Sequence, residues 1–202
     1  DTGGGVLAVN FDFYTVFDIF LNINTSSVDF ATEIKLAPTV STGQLYIYSK
    51  SDSGSYFRIT NSTTYQIRTL EAVTYDFTSN GNTYDEHTLK LIKTGSSIEL
   101  IEDGVSLGVV DISTNTFYFD RLSNPVAPLK SNVFYFKQWN SADSSGTPDF
   151  ELLPTIETIP SGIGNPVPKW YATSHNQFQN RIRKANDEYM EDYPIQTGDQ
   201  SH

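Results

Sequence analysis

Cleaving a glycosidic bond takes two carboxylates at a defined separation, one as acid and the other as base or nucleophile. The nearest pairings in this chain are Asp85-Glu86 and Glu99 with Glu102. The first sits beside a turn. The second straddles a strand, because residues three apart in an extended chain point to opposite faces. No strand carries an alternating Glu-x-Asp-x-x-Glu pattern. His87 reads as a strand residue satisfied by a neighbour, and His175 and His202 lie in the tail, so no histidine pair has metal-ligand spacing. No serine stands in a Gly-x-Ser-x-Gly elbow, and there is no cysteine to serve as nucleophile, thiolate ligand or disulfide. The expectation is a non-enzymatic protein without catalytic residues.

Binding chemistry is better represented. Sugars stack their C–H faces on aromatic rings, while Asn and Asp take the hydroxyls. Tyr46, Tyr48, Tyr65 and Trp139, with Tyr56 and Tyr75 nearby, lie on or beside strands and are the expected glycan contacts. The competing role for each is core packing or a cross-strand pair.

The balance of 24 acidic against 13 basic residues, a net charge of -11, excludes a phosphate-tracking role, which needs clustered Lys and Arg. Nucleic acid is therefore not an expected partner. No stretch approaches the roughly 20 apolar residues of a membrane-spanning helix.

The elements that must position these residues are strands. Thirteen Phe and twelve Tyr with recurrent Thr and Ser suit pleated, half-buried surfaces. From Phe11 to Ile23 apolar residues alternate with polar ones, which predicts one long strand or two joined at a bulge. Phe30–Leu36, Leu45–Ser49, Tyr56–Thr60, Thr64–Leu70, Val73–Thr78, His87–Lys93, Ile98–Glu102, Val105–Val110, Phe117–Phe119 and Val133–Gln138 follow. Thr94-Gly95, Asp103-Gly104 and the Ser79–Asn82 cluster punctuate them as turns. Short strands at this spacing predict an all-β antiparallel sandwich.

Tyr84–Ile92 followed by Ile98–Gly108 resembles the central hairpin of laminin-G-like domains, which are concanavalin A-like jelly rolls. Phe117–Leu122, Asn132–Lys137 and Asp149–Pro154 are similar to the closing strands of laminin-G-like modules in bacteriophage structural proteins. The resemblance implies a sandwich over residues 1–154 and a virion context, as a tail, fibre or decoration protein in an extracellular particle. Relatives of this fold often hold Ca2+ in loops, and Asp52, Asp76 and Asp143 fall in or near turns, but no resident cofactor is expected. Tyr135-Phe136-Lys137 also resembles a strand of alginate-lyase-like sandwiches. Those enzymes need a Gln-x-His strand where this chain has Gln66-Ile67-Arg68, and an Arg-x-Glu strand with no counterpart here.

After Leu153 the pattern changes. Pro154 to Pro168 carries four prolines and two glycines and predicts an extended arm outside the packed sheets. Ser174 and Gln177 make a capping-box pattern, and Phe178, Ile182, Ala185, Tyr189 and Tyr193 recur at helical spacing before Pro194. Its basic residues come early and its acidic ones late, against the helix dipole, so the predicted helix should need something to dock on. Residues 155–202, through Phe178, Ile182, Tyr189 and Tyr193, are thus the expected contact with neighbouring subunits of an oligomeric assembly. The functional expectation is a virion structural or adhesion protein whose sandwich faces outward and binds surface glycans. The alternatives are a free carbohydrate-binding lectin module and, behind it, a polysaccharide lyase or glycoside hydrolase.

Overall fold

The computed structural model describes residues 9–11, 16–18, 29–50, 54–124, 127–156, 168–172 and 181–183. Among these there is no helix. The strands are β1 (Val9–Phe11), β2 (Val16–Asp18), β3 (Phe30–Pro38), β4 (Leu45–Ser49), β5 (Tyr56–Asn61), β6 (Thr64–Arg68), β7 (Thr74–Thr78) and β8 (His87–Thr94). They continue with β9 (Ser97–Glu102), β10 (Val105–Asp111), β11 (Arg121–Leu122), β12 (Ser131–Trp139), β13 (Phe150–Ile156), β14 (Pro168–Ala172) and β15 (Arg181–Arg183). Sheet A runs β10-β9-β8-β3-β12-β13-β14 with β1 also on β12, and sheet B runs β15-β2-β11-β4-β5-β6-β7. Every described pairing is antiparallel.

The two sheets bury one shared core. Phe30, Ile34 and Leu36 of β3, Leu89 and Leu91 of β8, and Val133 and Phe136 of β12 face Leu45, Tyr48, Phe57, Ile59, Tyr65 and Ile67 of sheet B. Each such side chain taken from water contributes about 1.5–3 kcal/mol. Tyr48 stacks on Phe119 with centroids 4.6 Å apart and meets Phe136 edge-on at 5.7 Å. The tight turn between β9 and β10 places Asp103 and Gly104 at φ 50° and 83°, the left-handed conformation this pair tolerates.

Four expectations need correction. The N-terminal alternation serves two strands in different sheets, since β1 pairs with β12 and β2 with β11. Phe117 and Phe119 form no ladder; both rings are fully buried against Phe30, and the Tyr118 amide between them donates to the Ser55 hydroxyl instead. The sheets do not stop at Pro154, because β13 continues to Ile156 and pairs with β14 from Leu152 onward. Pairing of β13 with β12 ends at Leu152, so past that point a proline sits on a strand with a ladder on one side only, where it is tolerated. Where the helix was expected, Arg181–Arg183 is extended and pairs with β2, Ile182 opposite Phe17. An open strand edge satisfies these backbone groups, whereas the helix would have set its charges against its own dipole. Phe178, Tyr189 and Tyr193 lie outside the described residues.

Candidate functional site

Alternation along each strand gives the sandwich two outer faces. On sheet A, one row crosses four strands: Glu151 of β13 lies opposite Lys137 of β12, which lies opposite Glu33 of β3, which lies opposite Lys90 of β8. The signs alternate. Lys137 Nζ is 3.5 Å from Glu151, Lys90 Nζ 3.7 Å from Glu33, and one row on Lys35 Nζ is 2.8 Å from Glu86. Tyr135 donates its hydroxyl to Glu33 at 3.0 Å. Burial, with the Glu33 charge beside it, pushes the Tyr135 pKa up to about 12. Trp139 is only 6% exposed and donates its indole N–H to the Gly146 carbonyl at 2.8 Å, under the loop between β12 and β13.

The outer face of sheet B is built differently. Phe57 and Ile59 of β5 point inward, so Arg58 points out and Tyr56, its ring packed beneath the cluster and only 5% exposed, lies on the same side; Tyr65 and Ile67 of β6 point inward, so Gln66 and Arg68 point out. Cross-strand pairing then sets Tyr46, Arg58, Gln66 and Asp76 in one row and Ser49, Tyr56, Arg68 and Thr74 in the next. Arg58 is the centre. Its Nη1 donates to Gln44 Oε1 (2.6 Å) and Tyr46 Oη (3.0 Å), and its Nε (3.1 Å) and Nη2 (2.7 Å) both donate to Gln66 Oε1. Gln66 passes the chain on, donating through Nε2 to Asp76 Oδ1 at 2.8 Å. The Arg58 guanidinium lies 4.6 Å from the Tyr56 ring centre and 5.4 Å from that of Tyr46, and the two rings meet edge to face at 4.8 Å. Arg68 lies 5.7 Å from the same Tyr56 ring. Burial raises the Tyr56 pKa, so its hydroxyl remains a neutral donor to Gln66 Oε1 at 3.3 Å.

A third polar group is internal. Glu102, buried on β9, accepts from Tyr65 Oη (2.6 Å), Ser79 Oγ (2.7 Å) and the Asn80 amide (2.8 Å), tying sheet A to β6 and the β7–β8 loop. Burial and this carboxylate together drive the Tyr65 pKa far above its usual range. Beside it His87 Nδ1 contacts Asp103 Oδ2 at 2.7 Å and Nε2 contacts the Asn82 carbonyl at 2.9 Å. Both partners are acceptors, an arrangement that favours the doubly protonated ring. Burial alone would lower the His87 pKa; the Asp103 hydrogen bond, the Asn82 carbonyl and the Glu102 charge outweigh it and raise the pKa.

Of the four aromatic residues expected to bind glycan, the structure leaves one on an outer face with partial exposure. Tyr46 is part of the Arg58 cluster. Tyr48 and Tyr65 are fully buried core residues and Trp139 is covered, so none of these three offers a ring face to a sugar. Arg58, Gln66 and Arg68 were not among the expected contacts, although the alternation around Phe57 and Tyr65 already assigns them to the surface. The carboxylate pairs also separate: Glu102 points inward and Glu99 outward, where it accepts from the Ser106 hydroxyl at 2.6 Å. Among the described residues no three His, Cys, Asp or Glu side chains converge on a metal position. Asp143 caps the Ser145 amide at 2.9 Å, Asp76 holds Gln66, and Asp52 lies outside the described residues.

No family model and no curated protein matches the chain by sequence. Solved structures match by shape. One is described as a candidate carbohydrate-binding protein of Bacteroides ovatus, with a TM-score of 0.56 and 12% identity over 90% of this chain and 56% of that one. Domains LG4-5 of the mouse laminin α1 chain give 0.52 and 11% over 70% of this chain and 44% of theirs. The CBM40 of the Ruminococcus gnavus IT-sialidase, bound to α2,3-sialyllactose, gives 0.51 and 14% over 70% and 95%. The fold is that of the concanavalin A-like jelly rolls. The chain spans about half the length of the first two of these structures, and at such identities the likeness concerns architecture alone. As a jelly roll it has two outer faces on which a site could be built; among the described residues sheet A sets lysines over Phe134, Tyr135 and Trp139, and sheet B sets Arg58 among aromatic and amide groups.

Proposed function

We propose that this jelly roll is a non-enzymatic carbohydrate-binding module whose ligand face is the outer surface of sheet B. The observation that carries the reading is the Arg58 cluster, in which Tyr46, Tyr56, Gln44, Gln66 and Asp76 fix one guanidinium in a single geometry on a surface the core does not need. Preorganised planar and aromatic groups on strands are what a sugar-binding surface requires. Two of the structural neighbours bear names that speak of carbohydrate binding. Against an enzyme, the lyase-like residues divide: Tyr135 and Lys137 lie on the outer face of sheet A, Gln66 and Arg68 on that of sheet B, with the whole core between. A tyrosine base also needs a lowered pKa, and Tyr135 has a raised one. A glycan microarray tests the reading. The wild-type protein should bind a defined class of glycan, and Gln66→Ala, which releases Arg58, should weaken that binding at least tenfold. New reducing ends or unsaturated uronates appearing in the substrate would instead make it an enzyme.

The phage-like closing strands support a finer placement on the surface of a virion, with the tail beyond Arg183, including Tyr189 and Tyr193, meeting neighbouring subunits. Truncation after Arg183 keeps β14 and β15. It should leave the sandwich folded and remove the protein from particles isolated by density gradient; normal occupancy would refute this placement.

A further inference from the structure

Resting on the proposed glycan face, we infer that its ligand is an anionic sugar, a uronate or sulfated glycan, with Arg68 as the direct contact to the anion and Arg58 as the positioning cation. The first ground is charge pairing. Lys35, Lys90 and Lys137 each stand within 4 Å of a carboxylate, as does Arg121. Among the described residues Arg58 and Arg68 do not, in a chain where acids outnumber bases by 24 to 13. Both guanidinium groups instead lie against the ring of Tyr56. Two like charges on one ring repel, and an anion set between them relieves that repulsion.

The second ground is the inventory of donors and acceptors. Arg58 has engaged four of its five N–H groups on Gln44, Tyr46 and Gln66, so its fork is immobilised while its charge remains. Several acceptors that would receive a sugar hydroxyl are already engaged, leaving chiefly the second oxygen of the exposed Asp76. Gln66 Oε1 takes Arg58 and Tyr56, Gln44 Oε1 takes Arg58, and one oxygen of Asp76 takes the Gln66 amide. Arg68, half-exposed, makes no side-chain hydrogen bond among the described residues. The face therefore presents donors and positive charge with few free acceptors, and its complement is a ligand rich in acceptors and negative charge. A planar guanidinium meets a carboxylate or sulfate through two parallel hydrogen bonds. The net charge of -11 does not prevent this, because charges beyond a Debye length of about 8 Å are screened at physiological salt.

The test compares oligogalacturonate with its methyl ester, the same sugar without the charge, and dextran sulfate with dextran, by titration calorimetry on the full chain. The charged member of at least one pair should bind, the neutral member at least tenfold more weakly, with affinity falling as salt rises. Arg68→Gln should weaken binding at least tenfold with an unchanged melting temperature, while Lys137→Gln, on the opposite face, should change nothing. The pair that binds tells carboxylate from sulfate. Equal binding of charged and neutral members, or full binding by Arg68→Gln, overturns the inference. If neutral glycans bind and Gln66→Ala removes that binding while Arg68→Gln does not, the glycan-binding reading stands and the anionic one falls. If no glycan of either kind binds, both fall.

Discussion

Sheets A and B share one core but finish their outer faces in opposite ways. Sheet A closes its electrostatics within itself, with Glu151, Lys137, Glu33 and Lys90 alternating across four adjacent strands and Trp139 covered by a loop. Sheet B leaves its electrostatics open, holding Arg58 on neutral acceptors and Arg68 on a ring. Counting charged or aromatic residues would not separate the faces. What separates them is whether each group's partner lies inside the sheet. A surface that satisfies itself has little to offer a ligand, and one that does not is where a ligand can contribute.

The strongest way to break the comparison is to remove what both faces rest on. Glu102→Ala strands the Tyr65 hydroxyl, the Ser79 hydroxyl and the Asn80 amide next to the core, and unfolding by urea should show a loss of about 3 kcal/mol or more. A smaller effect is expected from opening the closed face. Glu33→Gln removes the partner of Lys90 and the charge beside Tyr135, yet a partly exposed pair at 3.7 Å is worth about 1 kcal/mol, so stability should move little. The Tyr135 pKa should fall from about 12 in an ultraviolet titration, and glycan binding should persist. If Glu33→Gln removed glycan binding, sheet A would be the ligand face.

The smallest effect is a pH dependence at the β9–β10 turn. His87 has a raised pKa in the folded protein, so its contribution is fully present below its unfolded value near 6.5 and is lost as pH rises through the folded value. Burial opposes the ionisation of Asp103, but the Thr88 amide and His87 prevail and lower its pKa; its contribution is present above the ordinary aspartate range and lost as pH falls through the folded value. Stability should therefore be flat between these limits and decline gently on the alkaline side. His87→Gln should abolish the alkaline decline in thermal melts across pH 6 to 9.

The strands from β3 to β10 stand close to where alternation alone puts them, because one face of each meets a core and the other meets water. The proposed glycan face was half legible. Phe57 and Ile59, with Tyr65 and Ile67, determine that Arg58, Gln66 and Arg68 point outward, and the same alternation sends Tyr65 to the core. Tyr48 could not be read this way. An irregularity in the β4–β5 ladder between Tyr46 and Tyr48 breaks the period of two, so two tyrosines two residues apart finish on opposite sides of the sheet. Trp139 was misread because its cover is a loop, Asn140 to Asp149, whose fold depends on contacts such as Asn140 N–H to Asp149 Oδ2 at 2.7 Å that no periodicity announces. At Arg181–Arg183 the helical reading fails for a related reason. Helical spacing is a local signal, and the strand edge that Arg181–Arg183 completes lies at Val16–Asp18, far away in sequence.

Strand β3 lies at the middle of sheet A, and both its neighbours, β8 and β12, are made after it. During synthesis at about 5–20 residues per second, Pro38 emerges on the order of ten seconds before β12 is complete. Until β8 is made both edges of the strand are open, and until β12 is made one still is and Phe30, Ile34 and Leu36 have no finished core, the state in which chains pair with the wrong partner. Glu33 and Lys35, which in the finished protein meet Lys90, Tyr135 and Glu86, interrupt that apolar run while it waits. Charges set into an apolar run in this way are the kind that hold an open strand back from aggregation until its partner arrives.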